Sequence, residues 1–218
     1  MKTPLNSERL RQHFRYGWWK YAVALVLIVA GLNILFAITS PRPADNQKVE
    51  LFVFGAARED VFNVYLEDVR AKQFPKQEQF TASVYTELNA GQVGIGTRVM
   101  AGDGELFLLP EDLFRSYAQD GVLVALDEQP DVMAALRELG IPADSGRSIG
   151  WDDKTHLYGV NVSAMPVMAS WLIDRSKDQY LCIRINNGND ETALQLFTWL
   201  LRDLRTPSPE TLPAGNGN

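Results

Sequence analysis

One cysteine and two histidines occur among the 218 residues, and this scarcity excludes several kinds of site. Cys182 has no partner for a disulfide within the chain, and its setting between Leu181 and Ile183 predicts a small, buried strand residue. Zinc sites need clustered histidine and cysteine ligands, whereas His13 and His156 stand on either side of a long apolar run. We therefore expect no metal site and no cofactor.

Residue patterns for covalent catalysis are also missing. The sequence contains no nucleophile elbow and no serine and histidine arrangement typical of acyl transfer. Glycines 91, 94 and 96 have a spacing seen in nucleotide-binding loops, but the phosphate-binding lysine is absent. We assign no catalytic residue and predict that the protein is not an enzyme.

The one long apolar run begins at Tyr21 and ends at Thr39. It carries no formal charge and, as a helix, would extend roughly 28 Å, which matches the thickness of a bilayer core. Trp18 and Trp19 place aromatic rings at one end, as expected at a membrane interface. A cleaved signal peptide is the alternative, but the run is long and Pro41 interrupts the expected cleavage region. We predict a single-pass signal anchor in the lipid bilayer.

The charge distribution predicts the orientation of this helix. Lys2, Arg9, Arg11, Arg15 and Lys20 precede it against one acidic residue, so the N-terminus is expected in the cytoplasm. Residues 43–218 contain 15 basic and 26 acidic residues, and this acidity argues against nucleic-acid binding. The predicted segments are a cytoplasmic basic segment (1–20), a transmembrane helix (21–39), a linker (40–48), an extracytoplasmic α/β domain (49–205) and a disordered tail (206–218).

Strand and helix patterns alternate in the outer domain and predict an α/β sheet covered by helices. Aromatic and β-branched runs favour strands, and apolar residues at helical spacing favour helices. The predicted strands cover residues 49–54, 81–86, 105–109, 157–162 and 180–185. The predicted helices lie between Gly55 and Pro75, over 111–119, from a cap at Asp131 to Gly140, and after a cap at Asn189 or Asp190.

Residues 98–128 resemble the first lobe of the extracytoplasmic solute-binding proteins of ABC transporters. This stretch reads RVMAGDGELFLLPEDLFRSYAQDGVLVALDE, and residues 154–163 and 187–204 look like the crossover segment and returning helix of that family. The resemblance implies a single-lobe, periplasmic-binding-protein-like α/β domain, a sheet flanked by helices, behind one N-terminal transmembrane helix. A second lobe does not fit between Ser163 and Tyr180, which only 16 residues separate.

The resemblance also implies a ligand crevice at the carboxyl ends of the strands, where open α/β sheets bind their ligands. The candidate ligand-binding residues are Arg58, Glu87, Asn89, Glu111 and Asp112 in the loops, with Trp151 and Tyr158 as aromatic surface for a sugar or peptide. The alternative for the loop residues is simple solvation. For the two aromatic residues, it is closure of the core.

Two function classes remain open from the sequence. One is non-catalytic binding of a small solute or peptide at the membrane surface. The other is a protein–protein interaction or scaffold module of the bacterial cell envelope, which uses the face left by the missing lobe to bind another envelope protein or a second copy of itself. A concave polar pocket beside Trp151 and Tyr158 would favour the first class, and a large apolar patch would favour the second.

Overall fold

A computed structural model describes residues 7–39, 47–86, 96–99, 101, 103–144, 146–174, 177–185 and 189–205. The chain separates into two compact units, Met1–Arg42 and Pro43–Asn218. The helix α1 (Ser7–Thr39) lies in the first unit. Its stretch Trp18–Phe36 is long and apolar enough to cross a membrane, and its side chains are exposed. This N-terminal helix is a candidate membrane span, and its length and position also fit a signal sequence.

The second unit is built on a mixed sheet of five strands within the described residues. The strands among these described residues are β1 (Lys48–Phe54), β2 (Gln79–Tyr85), β3 (Leu106–Pro110), β4 (Arg147–Ile149), β5 (Thr155–Leu157), β6 (Gly159–Asn161) and β7 (Gln179–Ile183). The main sheet has the order β2-β1-β3-β7-β6, in which β1 runs parallel to β2 and β3, and β7 runs antiparallel to its neighbours. Strands β4 and β5 form a separate antiparallel hairpin.

Helices cover both faces of this sheet. They are α2 (Glu59–Gln73), α3 (Glu111–Gln119), α4 (Pro130–Leu139), α5 (Pro166–Trp171) and α6 (Asp190–Asp203). On one face, Leu51 and Val53 of β1 belong to a core with residues of α2, α4, α5 and α6. On the other face, Phe52 and Phe54 belong to a second core with residues of α3. Successive strand residues point to opposite faces, so β1 contributes to both cores, and the α/β fold class is confirmed.

The predicted helix caps need two corrections. Gln129 occupies the cap position of α4 and Pro130 its first turn, so Asp131 lies inside the helix instead of capping it. Proline fits there because the first turn needs no amide donor. Asn189 does occupy the cap position of α6, but its amide donates to the carbonyl of Lys48 at 2.8 Å. This side chain therefore joins the start of α6 to β1 instead of capping the helix.

A short helix follows β6. After β6, helix α5 leads into residues that lie against the carboxyl end of β1. The amide of Arg58 donates to the carbonyl of Trp171 at 3.0 Å, and the amide of Ile173 donates to Ala56 at 2.8 Å. The buried indole of Trp171 packs edge-on against Phe62, with 5.0 Å between ring centroids. These contacts cover the end of β1 with the chain's own residues.

Candidate functional site

The carboxyl ends of β1 and β3 meet at one edge of the sheet and hold three of the predicted site residues. Arg58 is exposed directly before α2. Glu111 and Asp112 form the first turn of α3, where carboxylates interact favourably with the helix dipole. Glu111 also accepts two hydrogen bonds from Arg115, at 2.7 and 3.0 Å, within the same helix. Glu87 and Asn89 lie outside the described residues.

Two buried amides at this edge were missed by the sequence analysis. Gln179 is 6% exposed, and its Nε2 donates to the carbonyl of Phe54 at 3.0 Å. Asn161 accepts from the amide of Ser163 at 2.8 Å. Both side chains hold backbone in place, and Oε1 of Gln179 has no hydrogen-bond partner within the part of the chain that the structure describes. No local pattern indicates the role of Gln179, because its contact with Phe54 depends on how distant segments pack, and Asn161 lies inside a predicted strand.

Trp151 and Tyr158 lie elsewhere, beside a cavity of about 500 Å³. Leu106, at the start of β3, pairs with Ile183, and Ile183 also lines this cavity. The cavity is therefore at the sheet edge where β3 begins, opposite the edge that holds Arg58, Glu111 and Asp112. The structure divides the described candidates between two places and does not bring them together.

The two aromatic residues have different surroundings. Trp151 is 73% exposed, and its ring lies against Gly121, whose φ of +69° belongs to the left-handed region. Tyr158 is 3% exposed and its hydroxyl lies so close to Gly150 that no Cβ would fit there. Trp151 thus offers an open ring face at the cavity. Tyr158 belongs mainly to the core, as the alternative reading of the sequence held, and also lines the cavity wall.

Charged side chains lie in and beside the wall of the cavity. His156 lies between two carboxylates, with Nδ1 at 3.4 Å from Oδ1 of Asp127 and Nε2 at 3.5 Å from Oδ2 of Asp152. The backbone amide of Lys154 donates to Asp152 and lowers its pKa, and the side chains of Lys154 and His156 lower it further. Burial raises the pKa of Tyr158, as do the negative charges of nearby carboxylates. The phenol therefore remains protonated in a cavity of negative potential.

The cavity has features that can hold a ligand. Asp127 and Asp152 both contact His156, and Asp152 also lines the cavity. Across the described ranges, no group of three or more histidine, cysteine, aspartate and glutamate side chains is placed to hold a metal ion. An open indole face beside hydrogen-bonding side chains can hold a sugar ring, an aliphatic stem or a cation. The sequence analysis missed His156 and Asp127 because their pairing depends on the position of the β4 and β5 hairpin.

Comparison with known proteins gives a partial structural similarity. No protein-family description and no curated protein matches the chain. An extracellular solute-binding protein family 1 from Alicyclobacillus acidocaldarius has 17% identity and a TM-score of 0.39, and the match covers 56% of this chain and 29% of that one. An ABC substrate-binding protein from Listeria monocytogenes, solved in complex with cycloalternan, has 18% identity, a TM-score of 0.35 and coverage of 52% and 28%. This chain matches less than a third of the length of each solved protein.

Proposed function

We propose that this protein is a membrane-anchored, non-catalytic binding protein whose outer domain takes a small solute or peptide beside Trp151. The anchor in this proposal is the apolar stretch Trp18–Phe36, with the N-terminus in the cytoplasm. The basic residues before this stretch and the acidic composition after it support that orientation. The domain then faces the outer side of a bacterial cell membrane.

The observation that carries the proposal is the open face of Trp151 on a concave surface. An indole that is 73% exposed leaves a large apolar area in water, and a ligand that covers it gains hydrophobic and stacking energy. The cavity of about 500 Å³ is within the range of small-molecule sites. Glu128, Asp152 and His156 supply polar atoms around it that can orient a ligand.

The opposite edge of the sheet offers less support for a ligand crevice. There Trp171 and Ile173 make backbone hydrogen bonds with the residues that follow β1, and Glu111 is engaged with Arg115. Of the two regions predicted from the sequence, the proposal therefore places the ligand at Trp151 and Tyr158. Arg58, Glu111 and Asp112 are then solvated loop and helix-end residues.

A binding screen on the full-length protein tests this function. The protein is purified in a non-ionic detergent without a sugar headgroup, and its thermal unfolding is followed with sugars, amino acids and short peptides. Compounds that raise the unfolding temperature are then measured by calorimetry.

We expect Trp151→Ala to weaken binding about tenfold or more, which corresponds to ~1.4 kcal/mol. Val64→Ala is the matched control, because Val64 is equally exposed and lies outside the cavity. Binding that survives Trp151→Ala, or a screen without any ligand, contradicts the proposal.

The interaction module remains a second candidate because Trp151 has exposed apolar neighbours in sequence and at the cavity. Ile149 is 51% exposed and Ile185, which lines the cavity, is 47% exposed. Size-exclusion chromatography with light scattering at several protein concentrations separates the two candidates. Self-association that Trp151→Ala abolishes would favour the interaction module. A single species at all concentrations, together with a ligand from the screen, would favour solute binding.

A further inference from the structure

A second cavity adjoins the one beside Trp151. It has a volume of about 550 Å³ and lies between α4 and α6, near the end of α2. Gln129 and Leu194 line both cavities, so the two share part of one wall. Both side chains are only partly buried. The two cavities adjoin at these residues, and together they are called the groove, which begins at Trp151 and continues along α4 and α6.

The groove is acidic along its whole length. Glu128, Asp152 and Asp190 line the first cavity, and Asp131 and Glu191 line the second. The basic groups near these carboxylates are His156, which lies between two carboxylates, Lys154, which pairs with Asp152 at 3.3 Å, and Arg202, which pairs with Glu138 at 3.1 Å. Carboxylates thus outnumber cationic groups in both cavities, and an anionic ligand would be repelled.

Aromatic and aliphatic surface accompanies the carboxylates at both ends. Trp151 stands in the first cavity, and Phe74 and Trp199 line the second. Lysine and arginine side chains match such a surface, because their aliphatic stems pack on apolar groups while their charged ends reach carboxylates or ring faces. A single small solute would fill only one of the two cavities.

We propose that the groove formed by the two cavities binds an extended peptide that carries lysine or arginine side chains. This inference rests on the proposed function of the cavity beside Trp151 and names the class of its ligand. The peptide lies along α4 and α6, with one basic side chain near Trp151 and Asp152 and another near Asp131 and Glu191.

The test is calorimetry of the full-length protein with capped lysine–alanine peptides of two, four and six residues, and glutamate–alanine peptides of the same lengths. We expect only the lysine peptides to bind, and we expect the dissociation constant to fall about tenfold from two to six residues. Binding should weaken as salt is raised, because the attraction is electrostatic.

Two substitutions, each of an exposed helical alanine to tryptophan, distinguish binding in the groove from a general effect of added surface tryptophan. Ala134→Trp fills the second cavity and should reduce the affinity for the six-residue peptide to that of the two-residue peptide. Ala71→Trp lies outside both cavities and should leave both affinities unchanged. Trp151→Ala should weaken the binding of both peptides.

The outcomes distinguish this inference from the proposed function. If the affinity does not change with peptide length, or if Ala134→Trp leaves it unchanged, the peptide does not use the second cavity. The protein would then bind its ligand in the cavity beside Trp151 alone. If only neutral sugars bind, and Trp151→Ala abolishes their binding, the ligand is not a peptide but the proposed function still holds. The absence of binding by any peptide, sugar or amino acid overturns both.

Discussion

The backbone amide of Glu50 donates a hydrogen bond to the carboxylate of Glu105, a side chain that is only 3% exposed. Glu50 in turn accepts hydrogen bonds from Ser83 at 2.6 Å and from Arg98 at 2.7 Å. Two carboxylates therefore lie close together beside β1, and Arg98 provides the nearby positive charge. Burial alone would lower the pKa of Arg98, but its hydrogen bonds to Tyr85 and Asp103 and the charge of Glu50 raise it.

The first prediction is that Glu105 makes folding pH-dependent. Burial raises the pKa of Glu105 to about 7, and the charge of Glu50 adds to this although the amide hydrogen bond opposes it. The carboxyl of an unfolded chain ionises at about 4.3. The stabilising contribution of protonated Glu105 is thus fully present below that value and is lost as pH rises through 7, by roughly 3–4 kcal/mol.

Substitution of Glu105 tests this dependence. Glu105→Gln keeps an acceptor for the Glu50 amide but cannot ionise, so its free energy of unfolding should fall less between pH 5 and pH 8. Denaturant unfolding at the two pH values measures the change. Glu78→Gln is the control, because Glu78 is exposed. If the free energy of unfolding of Glu105→Gln falls between pH 5 and pH 8 as much as that of the wild type, another group causes the pH dependence.

The second prediction concerns the link between α2 and α6. The hydroxyl of Tyr65 donates to Oδ2 of Asp203 at 2.7 Å. Burial raises the pKa of Tyr65, and the hydrogen bond to Asp203 raises it further, so the donor stays protonated. Tyr65→Phe leaves Asp203 without this donor and should cost about 1–3 kcal/mol of unfolding free energy. A double-mutant cycle with Asp203→Ala isolates the pair, and a coupling energy near zero would contradict the link.

Much of the main sheet follows from residue patterns that are local in the sequence. The stretch from Val49 to Phe54 alternates between two apolar faces and forms β1, because both of its faces are buried. Proline and glycine mark the ends of α3 and α4, since proline starts a helix readily and Gly140 adopts the left-handed conformation that ends one. Cys182 is fully buried in β7, as predicted.

The candidate site follows much less from the sequence. Helix α5 has only six residues, too few to show a helical period, and the β4 and β5 strands have three each. The contact of His156 with Asp127 depends on where this hairpin packs, which no local pattern fixes. The position of Trp151 likewise depends on this hairpin, because Trp151 lies between β4 and β5.

The third prediction is that Cys182 does not react in the folded protein. It is fully buried, and burial raises the pKa of its thiol well above the ordinary value. A thiol reacts as the thiolate, so a maleimide should label the protein only after denaturation. Ala71→Cys adds an exposed thiol and provides the positive control. Complete labelling of native wild-type protein would mean that β7 opens readily.

The last prediction connects backbone packing to the cavity. A Cβ on Gly150 would overlap the hydroxyl of Tyr158, so Gly150→Ala must displace that ring from the cavity wall. We expect a cost of about 1–3 kcal/mol in unfolding free energy from overpacking, and weaker ligand binding. Tyr158→Phe removes the overlapping oxygen, so the double variant should recover stability. Gly140→Ala is the control, because a Cβ there meets no other atom and only the left-handed backbone is strained. If the double variant is no more stable than Gly150→Ala, the overlap with Tyr158 does not cause the loss.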